Sequence, residues 1–298
     1  MQHLLSHIFE QHLSESIESV SPIEGLGGVN HTFSVRGKTG EYVIRLNDAE
    51  EKAIEYKKEA ICLTETGKLG ILGPQVLAQG IHGKQVFLIL EKLPGKNGTL
   101  ATKEEQAYIW HQLGTYARIF QTIPQIDDPE VQKDAFHQDW KARLAYNLKE
   151  LNGEDELLRR QTLSPKEHQQ LQQLLHLLEG KDFPSGLVHG DVGPRNVLLD
   201  GEVVYLLDWG TAVINVVPHT ELGLIRTYQR TSPLEFQHFL EGMQIDVVAY
   251  QQLEREILLF NLLNHLDVYR WAQGNAREVL SRYEERVRNA LEECQGLR

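Results

Sequence analysis

The chain has 298 residues, 41% of them hydrophobic and 24% charged, which fits an ordinary soluble globular protein of one large domain or two modest ones. Lys and Arg number 30 against 42 Asp and Glu, a net charge of −12, so a general nucleic-acid binder is not expected, because it needs a basic face to displace counterions; the acidity is compatible with a cationic substrate, or merely aids solubility. No run approaches the roughly 18 apolar residues of a membrane helix, the N-terminus lacks the pattern of a secretory signal, and the only two cysteines, Cys62 and Cys294, fall on separate expected helices, so a cytoplasmic protein without disulfides or membrane association is expected.

The chain opens with a short amphipathic stretch, residues 4–13. Three strand-like runs follow near 23–26, 32–35 and 42–46, the last being the β-favouring Tyr42-Val43-Ile44-Arg45-Leu46. Gly27-Gly28 and Gly37-Lys38-Thr39-Gly40 supply turns between them. A charged amphipathic stretch, 50–69, predicts a helix, and two more strands are expected near 75–79 and 85–90. Residues 93–98, Leu-Pro-Gly-Lys-Asn-Gly, break regular structure as a hinge would.

Beyond about residue 100 the pattern turns helical. Thr102-x-x-Glu105, Ser164-Pro165-x-Glu167 and Ser232-Pro233-x-Glu235 each read as a helix start with a capping box, and Leu171, Leu174, Leu175 and Leu178 share one helical face. Ser21-Pro22-x-Glu24 has the same form, but Gly25, Gly27 and Gly28 follow at once, so no helix is expected there. Residues 250–266 and 278–291 are helical again. The expected fold class is therefore α+β: an N-terminal antiparallel-sheet lobe with one helix, residues 1–93, then a larger, mainly helical lobe, residues 94–298.

One non-helical island, residues 187–210, interrupts the helical half. It reads Leu-Val-His189-Gly190-Asp191-Val-Gly-Pro194-Arg-Asn196-Val-Leu-Leu-Asp, then Val203-Val-Tyr-Leu-Leu-Asp208-Trp-Gly. Two short apolar runs predict a β-hairpin with polar residues at its ends. His-x-Asp-x4-Asn, with a later Asp before Trp-Gly, has the order and spacing of a kinase catalytic loop and metal loop. Phosphoryl transfer needs a hydroxyl set in line with the γ-phosphate and a means of neutralising developing charge. Asp191 would orient that hydroxyl and accept its proton. Asn196 and Asp208 would hold Mg²⁺, a hard cation that takes oxygen ligands and keeps waters. His189 would brace the catalytic loop, and Gly190 would allow a close backbone approach. The plain alternative is that Asp191 and Asn196 cap turns and Asp208 begins a loop.

His-Gly-Asp, Pro194 and Asn-Val-Leu-Leu-Asp resemble the aminoglycoside phosphotransferase and choline kinase-like superfamily, from about residue 20 to 224. The resemblance implies a bilobal protein-kinase-like fold, and a small-molecule kinase that uses ATP (GTP not excluded) and Mg²⁺. Its partners would be a nucleotide and a hydroxylated small molecule, and the chain would be a monomer or homodimer. It further implies an ATP clamp in the small lobe. Gly25-Leu26-Gly27-Gly28-Val29-Asn30-His31 would be a loose phosphate loop in which Gly28 and either Asn30 or His31 cover the phosphates, unless it is a plain hairpin turn. Val43 would line the adenine pocket and Arg45 would reach the phosphates, Arg standing where protein kinases carry Lys. Glu59 would pair with Arg45, Glu55 being the alternative one turn earlier. Glu91 to Leu93 would present backbone groups to the adenine edge, and Leu198 and Leu207 would press on the purine.

The acceptor side is less marked. After Asp208, similar proteins carry Gly-Asp-Pro…Asp-Leu; here Pro218 and Glu221-Leu222 keep part of that pattern without its first acid. Glu221 is expected to brace the loop. Glu235, Glu241, Asp246, Glu254, Glu256 and Asp267 could hold ammonium groups or form solvated helix faces. Trp140, Trp209 and Trp271 could wall a choline-like cation or pack in the core. The acceptor is thus an aminoglycoside-like antibiotic or a metabolite such as choline, homoserine or a sugar. A protein kinase is disfavoured because no Ala-Pro-Glu follows Asp208, and a non-catalytic nucleotide-binding scaffold because Asp191, Asn196 and Asp208 are all present.

Overall fold

A computed structural model describes residues 2–23, 31–131 and 139–296. Helix α1 (Gln2–Leu13) is followed by strands β1 (Ile17–Pro22), β2 (His31–Gly37) and β3 (Glu41–Asn47), helix α2 (Lys52–Lys68), and strands β4 (Val76–His82) and β5 (Gln85–Glu91). The five strands form one antiparallel sheet in the order β1-β2-β3-β5-β4. Strand alternation sorts its side chains between two helices. Ile44, Leu46, Phe87 and Ile89 pack with Leu5, Ile8 and Phe9 of α1. Val86, Leu88 and Leu90 pack with Tyr56, Cys62 and Leu63 of α2. The opening amphipathic stretch thus adds a second helix to this lobe. Val43 and Arg45 stay half-buried on the α2 side, where Arg45 meets Glu59.

The first strand lies earlier than the sequence pattern places it. It ends at Pro22, the Ile23 N–H donates to the Thr32 carbonyl, and residues 24–30, with Gly28 and Asn30, fall outside the described residues. Segment 17–22 is rich in Ser and Glu and weak in β-propensity. Pairing with β2 (Val20 opposite Val35) makes it a strand, a tertiary effect that propensity does not carry.

Strand β6 (Lys96–Asn97) crosses to the helical half, where it pairs with β8 (Val197–Asp200). There follow α3 (Lys103–Phe120), α4 (Trp140–Glu150), α5 (Glu156–Arg159), α6 (Pro165–His176), β7 (Ser185–Val188), the hairpin β8 (Val197–Asp200) and β9 (Val203–Leu206), β10 (Val213–Val216), α7 (His219–Ile225), α8 (Thr227–Thr231), α9 (Pro233–Met243), α10 (Val247–Asn275) and α11 (Leu280–Gln295). Strand β7 pairs antiparallel with β10, so His189, just after β7, lies beside the residues just before β10, where the Thr211 hydroxyl donates to the His189 carbonyl at 3.0 Å. One apolar core runs from α2 and β5 into α3, β9 and α9; another joins α4, α6, α10 and α11.

Two capping boxes close, at Thr102/Glu105 and Ser164/Glu167, each worth about 1 kcal/mol. The third does not. Helix α9 does start at Pro233, but Ser232 makes no side-chain cap; its N–H turns back to the Tyr228 carbonyl at 2.8 Å because α8 ends immediately before it. Glu235 is left without a capping role. Cys62 and Cys294 are buried and free. Among the described residues no helix is long and apolar enough to cross a membrane.

Candidate active site

Strand β7 delivers His189 into the core. The His189 backbone N–H donates to Glu221 Oε2 at 2.8 Å, and the ring lies 4.5 Å from that of Trp209. Its Nε2 lies 3.0 Å from the Leu207 carbonyl, which can only accept, so Nε2 carries the hydrogen. Nδ1 then accepts from the Asp191 backbone N–H at 3.3 Å. Burial pushes the ring down to about 4, which keeps it neutral, as this tautomer requires. Gly190 has φ +84°, and a Cβ there would lie 2.6 Å from the Thr211 carbonyl, so only glycine fits. Burial likewise pushes the Glu221 carboxyl up to about 7, against the backbone N–H groups of His189 and Gly190.

The short 3-10 turn Pro194–Asn196 folds the loop back on itself. Asn196 Nδ2 donates to both the carbonyl and the Oδ2 of Asp191, each at 2.8 Å. With the amide nitrogen committed, only the Asn196 side-chain oxygen remains to meet a cation. The Leu207 N–H donates to the Asn196 carbonyl at 2.9 Å and ties the two loops together. Asp208 follows in the left-handed region (φ +61°), which a short polar side chain tolerates, and is exposed. A Cβ on Gly210 would sit 3.0 Å from Glu55 Oε1 and 3.3 Å from Asp208 Oδ1, so these two acids flank it. An exposed carboxylate and an amide oxygen on tied loops would suit Mg²⁺, a hard cation that takes oxygen ligands.

On the sheet side, Arg45 Nη1 donates to Glu59 Oε2 at 2.8 Å, with Glu59 almost wholly buried. Burial opposes the Arg45 charge, but Glu59 and Asp208 outweigh it and hold the guanidinium charged. Burial pushes Glu59 up to about 7, with Arg45 opposing. Glu55, the alternative partner, instead receives Lys52. Val43, Leu198 and Leu207 are half-buried rather than core, and the Glu91 N–H is taken by the Gln75 carbonyl at 2.9 Å. Leu93 is half-buried in the turn that leads to β6.

A cleft of about 810 Å³ opens beside Asp191, with Trp110, Gly193, Arg195, Tyr228 and Glu235 in its wall. A second hollow of about 510 Å³ continues from it along α3 and α9 and shares Gln106 and Glu235. Trp110 packs on Tyr228 with ring centroids 4.7 Å apart, and its Nε1 is buried without a hydrogen-bond partner among the described residues. Sequence reasoning missed Trp110, Tyr228 and Arg195. Trp110 shares its helical face with Leu113 and Ala117 and so reads as core, and nothing local marks the other two. Of the six acids on the C-terminal helices, only Glu235 faces the cleft. Glu241 meets Gln237 and His238, Asp246 caps α10, Glu254 meets Arg226, Glu256 meets Lys181, and Asp267 meets Arg143 and Asn147. The three candidate cage tryptophans are not brought together: Trp140 and Trp209 are buried in different cores and Trp271 is exposed.

A two-lobed protein-kinase-like fold, here with a cleft beside Asp191, is that of a small-molecule kinase. The chain belongs to the phosphotransferase enzyme family (APH), whose family model matches residues 20–237. No curated protein matches it. Among solved structures, it is similar to a GDP complex of aminoglycoside 2'-phosphotransferase-IIIa (TM-score 0.71, 16% identity, 98% of each chain covered). It is also similar to a thermostable mutant of an aminoglycoside phosphotransferase in ternary complex with AMP-PNP and hygromycin B (0.66, 16%, 97% of each chain). A third is the macrolide 2'-phosphotransferase of Brachybacterium faecium (0.63, 17%, 97% of each chain). At these identities the likeness is one of fold.

Proposed function

We propose that the chain moves the γ-phosphoryl group of ATP to a hydroxyl of a polar small molecule, with residues 1–93 as the nucleotide lobe and 94–298 as the catalytic lobe. The observation that carries this is Asp191: its carboxylate is fixed on one side by Asn196 and faces a molecule-sized cleft on the other. The acceptor oxygen bonds to the γ-phosphorus. The bond from that phosphorus to the β–γ bridging oxygen breaks, and its electron pair leaves on ADP. The hydroxyl proton passes to Asp191 and then to solvent. Asn196 and Asp208 would hold Mg²⁺, which would neutralise charge that develops on the phosphate. Arg45, steadied by Glu59, grips the phosphates, and His189 holds the Asp191 backbone in place. Val43, Leu198 and Leu207 enclose the base, and Glu91 and Leu93 meet its edge.

The lining charges favour a metabolite acceptor over a polycationic antibiotic. Across the two connected hollows, Asp191, Glu104 and Glu235 stand against Lys103 and Arg195, a near balance that offers a polycation little net attraction. Equilibrium titration with ATP tests the metal assignment. Asp208→Ala should weaken magnesium-dependent binding by about tenfold or more while magnesium-free binding is kept. An unchanged magnesium requirement would remove Asp208 from the metal site.

A further inference from the structure

Asp191 is not free to act. Arg195, four residues on, places Nη2 against both of its carboxylate oxygens while Asn196 donates to Oδ2 as well. These donors take up three of the roughly four lone-pair sites of the carboxylate, so an incoming hydroxyl competes with the guanidinium for it. Yet the clasp is built to let go: the Arg195 side chain is 62% exposed and that of Asp191 30%, and an ion pair so exposed exchanges partners readily. Arg195 is also the one cation among the described residues lining the cleft beside Asp191.

We infer that Arg195 is a specificity-determining clasp: an acceptor that bears a carboxylate or phosphate close to its reacting hydroxyl draws the guanidinium off Asp191 and is held by it. The inference rests on the phosphotransferase reading above and adds the acceptor's chemical class. A guanidinium presents a planar fork that fits either anion as well as it fits Asp191. An ammonium beside the reacting hydroxyl would instead face that like charge. An anion there without Arg195 would be repelled by Asp191 itself. Glu235 on α9 has no capping role and lines the same cleft, where it is placed to take a donor from the far end of the acceptor. Tyr228 lies between these charges, feeling Glu235, Arg195 and Asp191 together, with its hydroxyl within 3.8 Å of where a Gly193 Cβ would be.

Two experiments test this, and the first needs no acceptor. Kinases slowly pass the γ-phosphoryl group to water: the water oxygen bonds to phosphorus, ADP leaves with the bridging electrons, and the water proton goes to Asp191. If the clasp keeps Asp191 from water, Arg195→Gln should raise acceptor-free Mg-ATP hydrolysis about fivefold. Acetate or inorganic phosphate at constant ionic strength should raise the native rate saturably and leave the variant's unchanged. The second compares matched acceptors: hydroxy acids with their amides, and hydroxylated phosphate esters with their parent alcohols. The native chain should prefer one anionic series by roughly tenfold or more in kcat/KM, carried by the acceptor KM. Arg195→Gln should lose that preference, and Arg195→Lys should keep part of it, with the KM for ATP unmoved in both. The preferred series tells carboxylate from phosphate. Hydrolysis that does not rise in Arg195→Gln overturns the clasp, and equal use of charged and uncharged partners by the native chain overturns the acceptor class. Loss of ATP affinity in Arg195→Gln overturns both, because it moves Arg195 to the nucleotide. Failure of the native chain to bind Mg-ATP at all is a separate outcome, and it sinks the phosphotransferase reading as well.

Discussion

Glu221 touches no reacting atom in the proposed scheme, yet it fixes the strand from which Asp191 hangs. Its buried carboxyl stands at about 7 in the folded chain against an ordinary 4.5. Between those values the folded protein keeps a proton that the unfolded chain has released. Its contribution to stability is therefore full below pH 4.5 and is lost as the pH rises through 7. Glu221→Gln keeps an oxygen for the His189 N–H and removes the titration. Urea midpoints should show the variant gaining on the native protein from about pH 5 to about pH 8; a difference that stays flat with pH would contradict the assignment. At this scale several residues of the candidate site could be picked out in advance. His189, Asp191, Asn196 and Asp208 announce themselves by spacing, because a loop that returns to its own carboxylate has few lengths available to it. Arg195 sat inside the same motif unnoticed, because a surface arginine four residues from an acid has no signature until its surroundings are known.

At the scale of elements, the cleft depends on how closely α3 and α9 approach. A Cβ on Gly114 would lie 2.0 Å from the Phe239 carbonyl, and one on Gly242 would lie 1.9 Å from the His111 carbonyl. The two helices therefore touch backbone to backbone, and the cleft walls Gln106 and Trp110 on α3 and Glu235 on α9 diverge from that contact. Gly114→Ala must push them apart. We expect a loss of about 1–3 kcal/mol in urea unfolding and a raised acceptor KM, with ATP affinity unchanged. Unaltered stability would mean that the helices have slack there. The helix starts at Thr102 and Ser164 were legible because the capping chemistry is local. The one at Ser232 was only half so: the helix begins where expected, but α8 arrives from the wrong direction for the cap to close. The first strand was misplaced for a related reason, since its partner, not its own residues, makes it a strand.

For the whole molecule, sequence sufficed for the two-lobed architecture, because that rests on alternation and on local helix starts. It did not suffice for the acceptor half. That cleft is assembled from residues 99–110, 190–195 and 224–235, three segments with no shared period, and three of the six acids that might have marked it, Glu254, Glu256 and Asp267, are committed to ion pairs elsewhere. The central claim is that Asp191 drives phosphoryl transfer to a small hydroxylated acceptor. Its most direct test is magnesium-dependent ATP consumption by the native chain and by Asp191→Ala across hydroxy acids, sugars, hydroxylated amines and aminoglycosides. The account predicts stimulation by one acceptor class, reduced about a hundredfold or more in the variant with nucleotide affinity retained. Equal stimulation of the two proteins would contradict it.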